Sequence, residues 1–298
     1  MKKIQMVCLL LAALVLPTSA QARLKVVCTY PYIGDLARTI GGERVEVTVL
    51  AKGTDDPHFV VPKPSFLAKL RAADLLIVNG ADLEIGFGPV LIQQSNNPKI
   101  QSPETGLLDL SRSITLREVP AVLSRAEGDV HPQGNPHFHL DPHHIPVLAR
   151  AVAGRLSALD RSGGAQYQRL LTEFLSRWSE KQGEWDRRLA PLKGKRVIEY
   201  HKLFYYLFSR YGFNLIGSIE PKPGIPPSAR HLEGLAETAR QQGLDFLIQD
   251  LYHEAKSARF LSEKTGVPIT TLPHDVGSIP EATDLVMLFE TIVKRLGG

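Results

Sequence analysis

Ten histidines stand in the 298-residue chain, and they are unevenly spread. His131, His137, His139, His143 and His144 crowd one short stretch, while His58, His201, His231, His253 and His274 stand apart. Neutral imidazole is the commonest protein ligand for a transition metal. A single histidine carries little weight, because most are core or surface residues; position is what distinguishes three of these. His58 ends Asp55-Asp56-Pro57-His58, His137 lies in Asn135-Pro136-His137-Phe138-His139-Leu140-Asp141-Pro142, and His201 closes Glu199-Tyr200-His201. Proline stiffens the backbone before the first two. A carboxylate beside His58 can hold one ring nitrogen and aim the other. An extended 137–139 segment would point His137 and His139 the same way, since side chains alternate along a strand.

The elements that must position these residues are legible as apolar runs. Strands are expected at Lys25–Tyr30, Val45–Leu50, Leu75–Asn79, Arg196–Tyr200, Asn214–Ile219, Phe246–Gln249 and Pro268–Leu272. Most are continuous rather than alternating, the pattern of parallel strands covered on both faces. Helical patterns fall between them. Pro64-Ser65 opens one, Asp141-Pro142 reads as cap and first-turn proline of another, and Ser228 caps a third. Strand and helix in alternation imply an α/β fold. His58, His137 and His201 then lie in loops beyond strands or extended segments, and the crevice beyond strand C-termini is where such folds bind ligands. From Gly164 to Leu189 the rhythm breaks. Tyr167, Leu170, Leu171, Phe174, Leu175, Trp178, Trp185 and Leu189 form one apolar stripe at three- and four-residue steps. Such a helix runs about 40 Å, long enough to join two lobes.

The N-terminus reads as a secretory leader. Lys2 and Lys3 precede an apolar run from Ile4 to Leu16, and Ala20-Gln21-Ala22 supplies a small-residue cleavage site, so the mature chain is expected to begin near Arg23. Cys8 lies inside the run rather than at its end, which argues against a lipid anchor. Without the leader one cysteine remains, Cys28, expected as a small buried hydrophobe; no intrachain disulfide is possible. The formal charge of +4 includes the two leader lysines, and no basic run points to nucleic acid.

Three segments carry a family resemblance: DDPHFVVPKPSFLAKLRAADLLIVNGADLE, NPHFHLDPHH and EYHKLFYYLFSRYGFNLIGSIEPKPGIPPSARHLEGL. In this order, behind a leader and around a long central helix, the chain resembles the zinc- and manganese-binding receptors of ABC importers. The resemblance implies an α/β protein of two lobes, each a parallel sheet flanked by helices, joined by one rigid helix with the metal in the cleft. The expected division is a signal peptide at 1–22, an N-terminal lobe at 23–163, the linking helix at 164–190 and a C-terminal lobe at 191–298. Matched motif to motif, the ligands are His58, His137 and His201. The family's aspartate after the last strand falls on Asp275, although Leu272-Pro273-His274-Asp275-Val276-Gly277 departs from the usual pattern and leaves His274 or water as alternatives. Three imidazoles with at most one carboxylate suit zinc, whereas manganese prefers more oxygen. Manganese receptors of the family tend to carry glutamate where this chain has His201.

The resemblance also implies a monomer of the periplasm that delivers its metal to a membrane permease driven by an ATPase. His139 stands where the family usually has an aromatic residue and is expected to pack near the site. His143 and His144 are expected in a helix's first turn, exposed to solvent, and His231 and His253 on the surface. The segment from Glu118 to Asn135 holds only His131, too few histidines for a scavenging loop. An enzyme is not expected: there is no His-Glu-x-x-His helix, Gly-rich nucleotide loop or nucleophile elbow. The remaining alternatives are a manganese or iron receptor of the same family, and a periplasmic metal-storage or metallochaperone protein.

Overall fold

The computed structural model describes residues 22–120 and 131–297. The expected leader lies almost wholly outside the described residues. Two four-stranded, all-parallel sheets form the frame. The first is built from β1 (Leu24–Cys28), β2 (Val45–Val49), β3 (Leu75–Val78) and β4 (Leu107–Asp109), in spatial order β2-β1-β3-β4. Helices α1 (Pro31–Gly41), α2 (Pro64–Ala72) and α3 (Gly88–Gln94) lie between these strands, and α4 (Ile145–Leu159) follows β4. The second sheet repeats the plan with β5 (Arg196–Glu199), β6 (Asn214–Ser218), β7 (Phe246–Gln249) and β8 (Ile269–Thr271), ordered β6-β5-β7-β8. Between them run α6 (Tyr205–Tyr211), α7 (Ala229–Gln242) and α8 (Lys256–Thr265).

The 26-residue α5 (Gly164–Leu189) separates the sheets, as its stripe required. Tyr167, Leu171, Phe174, Trp178, Trp185 and Leu189 are its buried face. Trp178 and Trp185 meet edge to face at 5.3 Å, and both pack on Phe289 of α9 (Leu285–Arg295), the last helix. Each such ring stabilises by roughly 1.5–3 kcal/mol through burial. Their indole N–H groups are also satisfied, donating to the Pro142 carbonyl and to Glu290. α5 packs against α1, α4 and α9, and one apolar core runs continuously from Val26 through these helices to Val197 and Leu296. Opening a wide hinge would expose that core, so the lobes are held in register.

Local readings were mostly met, with instructive departures. Pro64 opens α2, and the Ser228 hydroxyl accepts from the His231 N–H at the start of α7. Asp141 does not cap α4. It sits one turn upstream, accepts from the His143 N–H, and is held by Arg210 at 2.8 Å. β4 was not anticipated, because a three-residue run carries almost no periodic signal. Cys28 is fully buried at the end of β1, and burial pushes its thiol well above the ordinary range. Among the described residues no helix is long and apolar enough to cross a membrane.

Candidate metal centre

Both sheets change strand direction of filling at their central strands, β1 and β5, and the crevice beyond those strands' C-termini is the expected ligand site. His58 lies in the connection from β2 to α2, His137 in the connection from β4 to α4, and His201 two residues beyond β5. These three rings converge. Their centroids lie 5.0 Å (His58 to His137), 5.0 Å (His58 to His201) and 5.3 Å (His137 to His201) apart, each pair nearly perpendicular. One ligand atom from each lies within 4.8 Å of the other two. His137 Nε2 is 3.3 Å from His201 Nε2, and His58 Nε2 is buried with no hydrogen-bond partner. An orphaned imidazole nitrogen beside two others is a donor set that could hold a metal ion.

Each ring is held from behind. Asp56 Oδ1 is 3.0 Å from His58 Nδ1 and also accepts from the His58 backbone N–H. Glu220 Oε2 is 2.6 Å from His201 Nδ1, while its other oxygen accepts from the Gly224 N–H. Carboxylates in these places fix the tautomer that aims Nε2 at a metal. The backbone is pinned as firmly. Tyr30, just past β1, donates its hydroxyl to the Pro57 carbonyl. Buried Glu84 accepts from the Thr29 hydroxyl and the N–H groups of Asn79 and Gly80, and Asn79 in turn donates to the Pro136 carbonyl beside His137. Asn135 accepts from the His137 N–H and donates to the Lys202 carbonyl beside His201, so one side chain ties two of the three ligand segments together.

Burial favours the neutral form of two of the rings, His58 and His137. Burial holds His137 well below the ordinary imidazole range, with the neighbouring histidines adding to it. Burial also lowers His58, partly offset by Asp56. Asp56, although burial opposes its charge, stays below the usual carboxylate range through its bonds to His58. Burial pushes Glu84 up to about 7 despite its three donors. Neutral imidazoles present lone pairs to a cation without first releasing protons.

Asp275 and His274 stand elsewhere. Neither belongs to the donor group formed by the three histidines. Asp275 Oδ1 accepts from the N–H groups of Tyr32 at 2.8 Å and Val276 at 2.6 Å. It therefore places a carboxylate at the N-terminus of α1, where the helix dipole favours negative charge. His274 Nε2 is 3.3 Å from the Asp55 carbonyl, and its own carbonyl is 3.0 Å from His139 Nε2. The His139 ring stacks on Tyr32 at 4.3 Å, as packing near the site requires. The 137–139 segment is not extended: a 3-10 turn over Phe138–Leu140 sends His139 away from His137, into this seam. Gly53 belongs to the same seam, where a methyl group would collide with the Val276 carbonyl.

The other histidines also depart from expectation. His143 and His144 precede α4 and are half-buried, His143 Nε2 lying 2.9 Å from Asp186 and His144 Nδ1 2.9 Å from the Phe138 carbonyl. His253 is not a free surface residue: it bonds Asp250 at 2.8 Å and stacks on Tyr200 at 4.2 Å, beside His201. The His131 ring lies 5.4 Å from that of His58. Glu220 and Asn135 were visible in the quoted motifs without a role, because their partners are set by long-range folding.

The model of the family described as "Zinc-uptake complex component A periplasmic" matches residues 26–296, and the chain belongs to that family of metal-binding receptors for ABC importers. It is 24% identical over 293 residues to the iron-binding protein YfeA of Yersinia pestis, covering 94% of this chain and 89% of that one. It is 23% identical over 249 residues to the manganese ABC transporter substrate-binding lipoprotein PsaA of Streptococcus mitis, covering 83% and 78%. The zinc-binding lipoprotein AdcA of Streptococcus pneumoniae is 22% identical, with 91% of this chain matching 55% of that one. Among solved structures, a zinc-bound deletion mutant of ZnuA superposes with a TM-score of 0.75 at 25% identity, covering 91% of this chain and 97% of that one.

Two outcomes are expected. Asp275→Ala should lower unfolding stability by about 1–3 kcal/mol, the loss for orphaning buried donors, whereas Asp275→Asn, which keeps an acceptor, should cost less. Equal losses in denaturant titrations would contradict the seam role. Burial lowers His139 to about 4, against about 6.5 for an unfolded imidazole. The unfolded chain therefore binds the extra proton first as pH falls, and wild type should lose stability relative to His139→Phe between about pH 6.5 and 4. A gap that does not change with pH would contradict this.

Proposed function

We propose that this chain is a periplasmic receptor that captures zinc through His58, His137 and His201 and delivers it to the permease and ATPase of an ABC importer. The observation that carries this reading is the donor set: two buried imidazoles and one half-buried, with one ligand atom of each within 4.8 Å of the others, drawn from loops of both sheets, with no carboxylate among them in the described residues. Zinc takes nitrogen ligands in tetrahedral geometry, while manganese favours oxygen-rich, octahedral sites. The relatives named above bind manganese, iron or zinc by name, so the preference rests on this chain's own donors. The two carboxylates at the site support zinc by holding imidazoles from behind, Asp56 through Oδ1 and Glu220 through Oε2, with the other Glu220 oxygen taken by the Gly224 N–H.

The exported location rests on the leader-like N-terminus and on the family's periplasmic description. Continuous packing of α5, α1 and α9 supports a capture mode in which cleft loops adjust around the metal and the lobes keep their register. His201→Ala tests the reading. Loss of an outer hydrogen-bond partner of a ligand lowers metal affinity by about 10–100-fold, so loss of the imidazole itself should lower zinc affinity by at least about 100-fold in a competition assay with a chromophoric chelator. Affinity equal to wild type would sink the assignment.

A further inference from the structure

Three imidazoles leave a zinc site one donor short, since zinc held as cargo in a closed site takes four. The acids at the site each have another task. Asp56 and Glu220 each hold a ligand ring from behind, and Asp275 holds α1 and the turn at Val276. A fourth histidine stands beside the triad. His131 and His58 have ring centroids 5.4 Å apart. His131 also shares a cavity of about 540 Å3 with His137 and His201.

We infer that His131 is the fourth zinc ligand, swinging its Nε2 onto a metal already held by His58, His137 and His201. This rests on the proposed function, since it completes the same site. The observation that points to a cation is the unpartnered nitrogen: His131 Nε2 is buried and makes no hydrogen bond. The ring's hydrogen bond goes to the backbone of Ala81, in the turn after β3. That is the arrangement of a metal-ligating histidine, one nitrogen tied to a carbonyl or carboxylate and the other aimed at the ion. His58 and His201 repeat it with Asp56 and Glu220.

His131 Nε2 lies outside the 4.8 Å group that the triad forms. Rotation about its two side-chain torsions must therefore accompany loading, which makes it the last ligand to engage and the first to leave. A four-imidazole site would also exclude manganese more strongly than three imidazoles and an oxygen.

The test is zinc X-ray absorption fine structure on the exported chain loaded with one equivalent of zinc, together with its His131→Ala variant. Four imidazoles in wild type, and three plus an oxygen donor in the variant, are expected. Zinc affinity of the variant should fall by at least about tenfold, the smallest loss that even an outer partner of a ligand causes. Three imidazoles and an oxygen in both proteins, with equal affinity, would overturn the role of His131 and leave the triad intact. Failure of wild type to hold zinc at all would overturn both this inference and the proposed function.

Discussion

The structure depends on holding the rings of His58, His137 and His201 together at one point. One hydrogen bond, between His137 and His201, joins the cluster from within, and His58 Nε2 is buried with no hydrogen-bond partner. The cluster persists because each ring is fixed from outside: Asp56 behind His58, Glu220 behind His201, and Asn135 beneath the backbone of His137. These restraints come from both halves of the fold. They hold together only because α5 and the core around Trp178, Trp185 and Phe289 keep the two sheets in register. The free energy of folding is spent on orienting lone pairs toward one point, and a cation is what gathers the return.

The seam beside the site follows the same logic with different chemistry. Tyr32, His139, His274 and Asp275 join the start of α1 to the segment after β8 through a ring stack and four hydrogen-bonded groups. None of these offers a donor to the triad. Their part is to close the cleft's floor, so that the loop carrying His58 rests against Val276 through Gly53. Two histidines of the crowded stretch, His143 and His144, serve the scaffold by bridging to Asp186 and Phe138.

Much of this was legible in the chain. Continuous apolar runs announced parallel strands, and the stripe on α5 announced a helix long enough to join two sheets. The convergence of His58, His137 and His201 was legible because each stands beyond a strand or behind a proline, at the end of the sheets where an α/β fold has its crevice. What stayed hidden was long-range. Asp275 is bound to Tyr32, 243 residues away in sequence, and nothing local announces that bond. The turn at Phe138–Leu140, which sends His139 away from His137, was likewise hidden, because a short 3-10 turn has no periodic signature. His253 read as surface because its stack on Tyr200 joins residues from two different loops.

The central claim is a single closed site that loads and releases one ion. The most direct measurement is the metal content of the purified exported chain after saturation with zinc and exhaustive dialysis, read by elemental analysis. One zinc retained per chain is the expected result. Two or more, as storage in the crowded histidine stretch would give, or none, would contradict it.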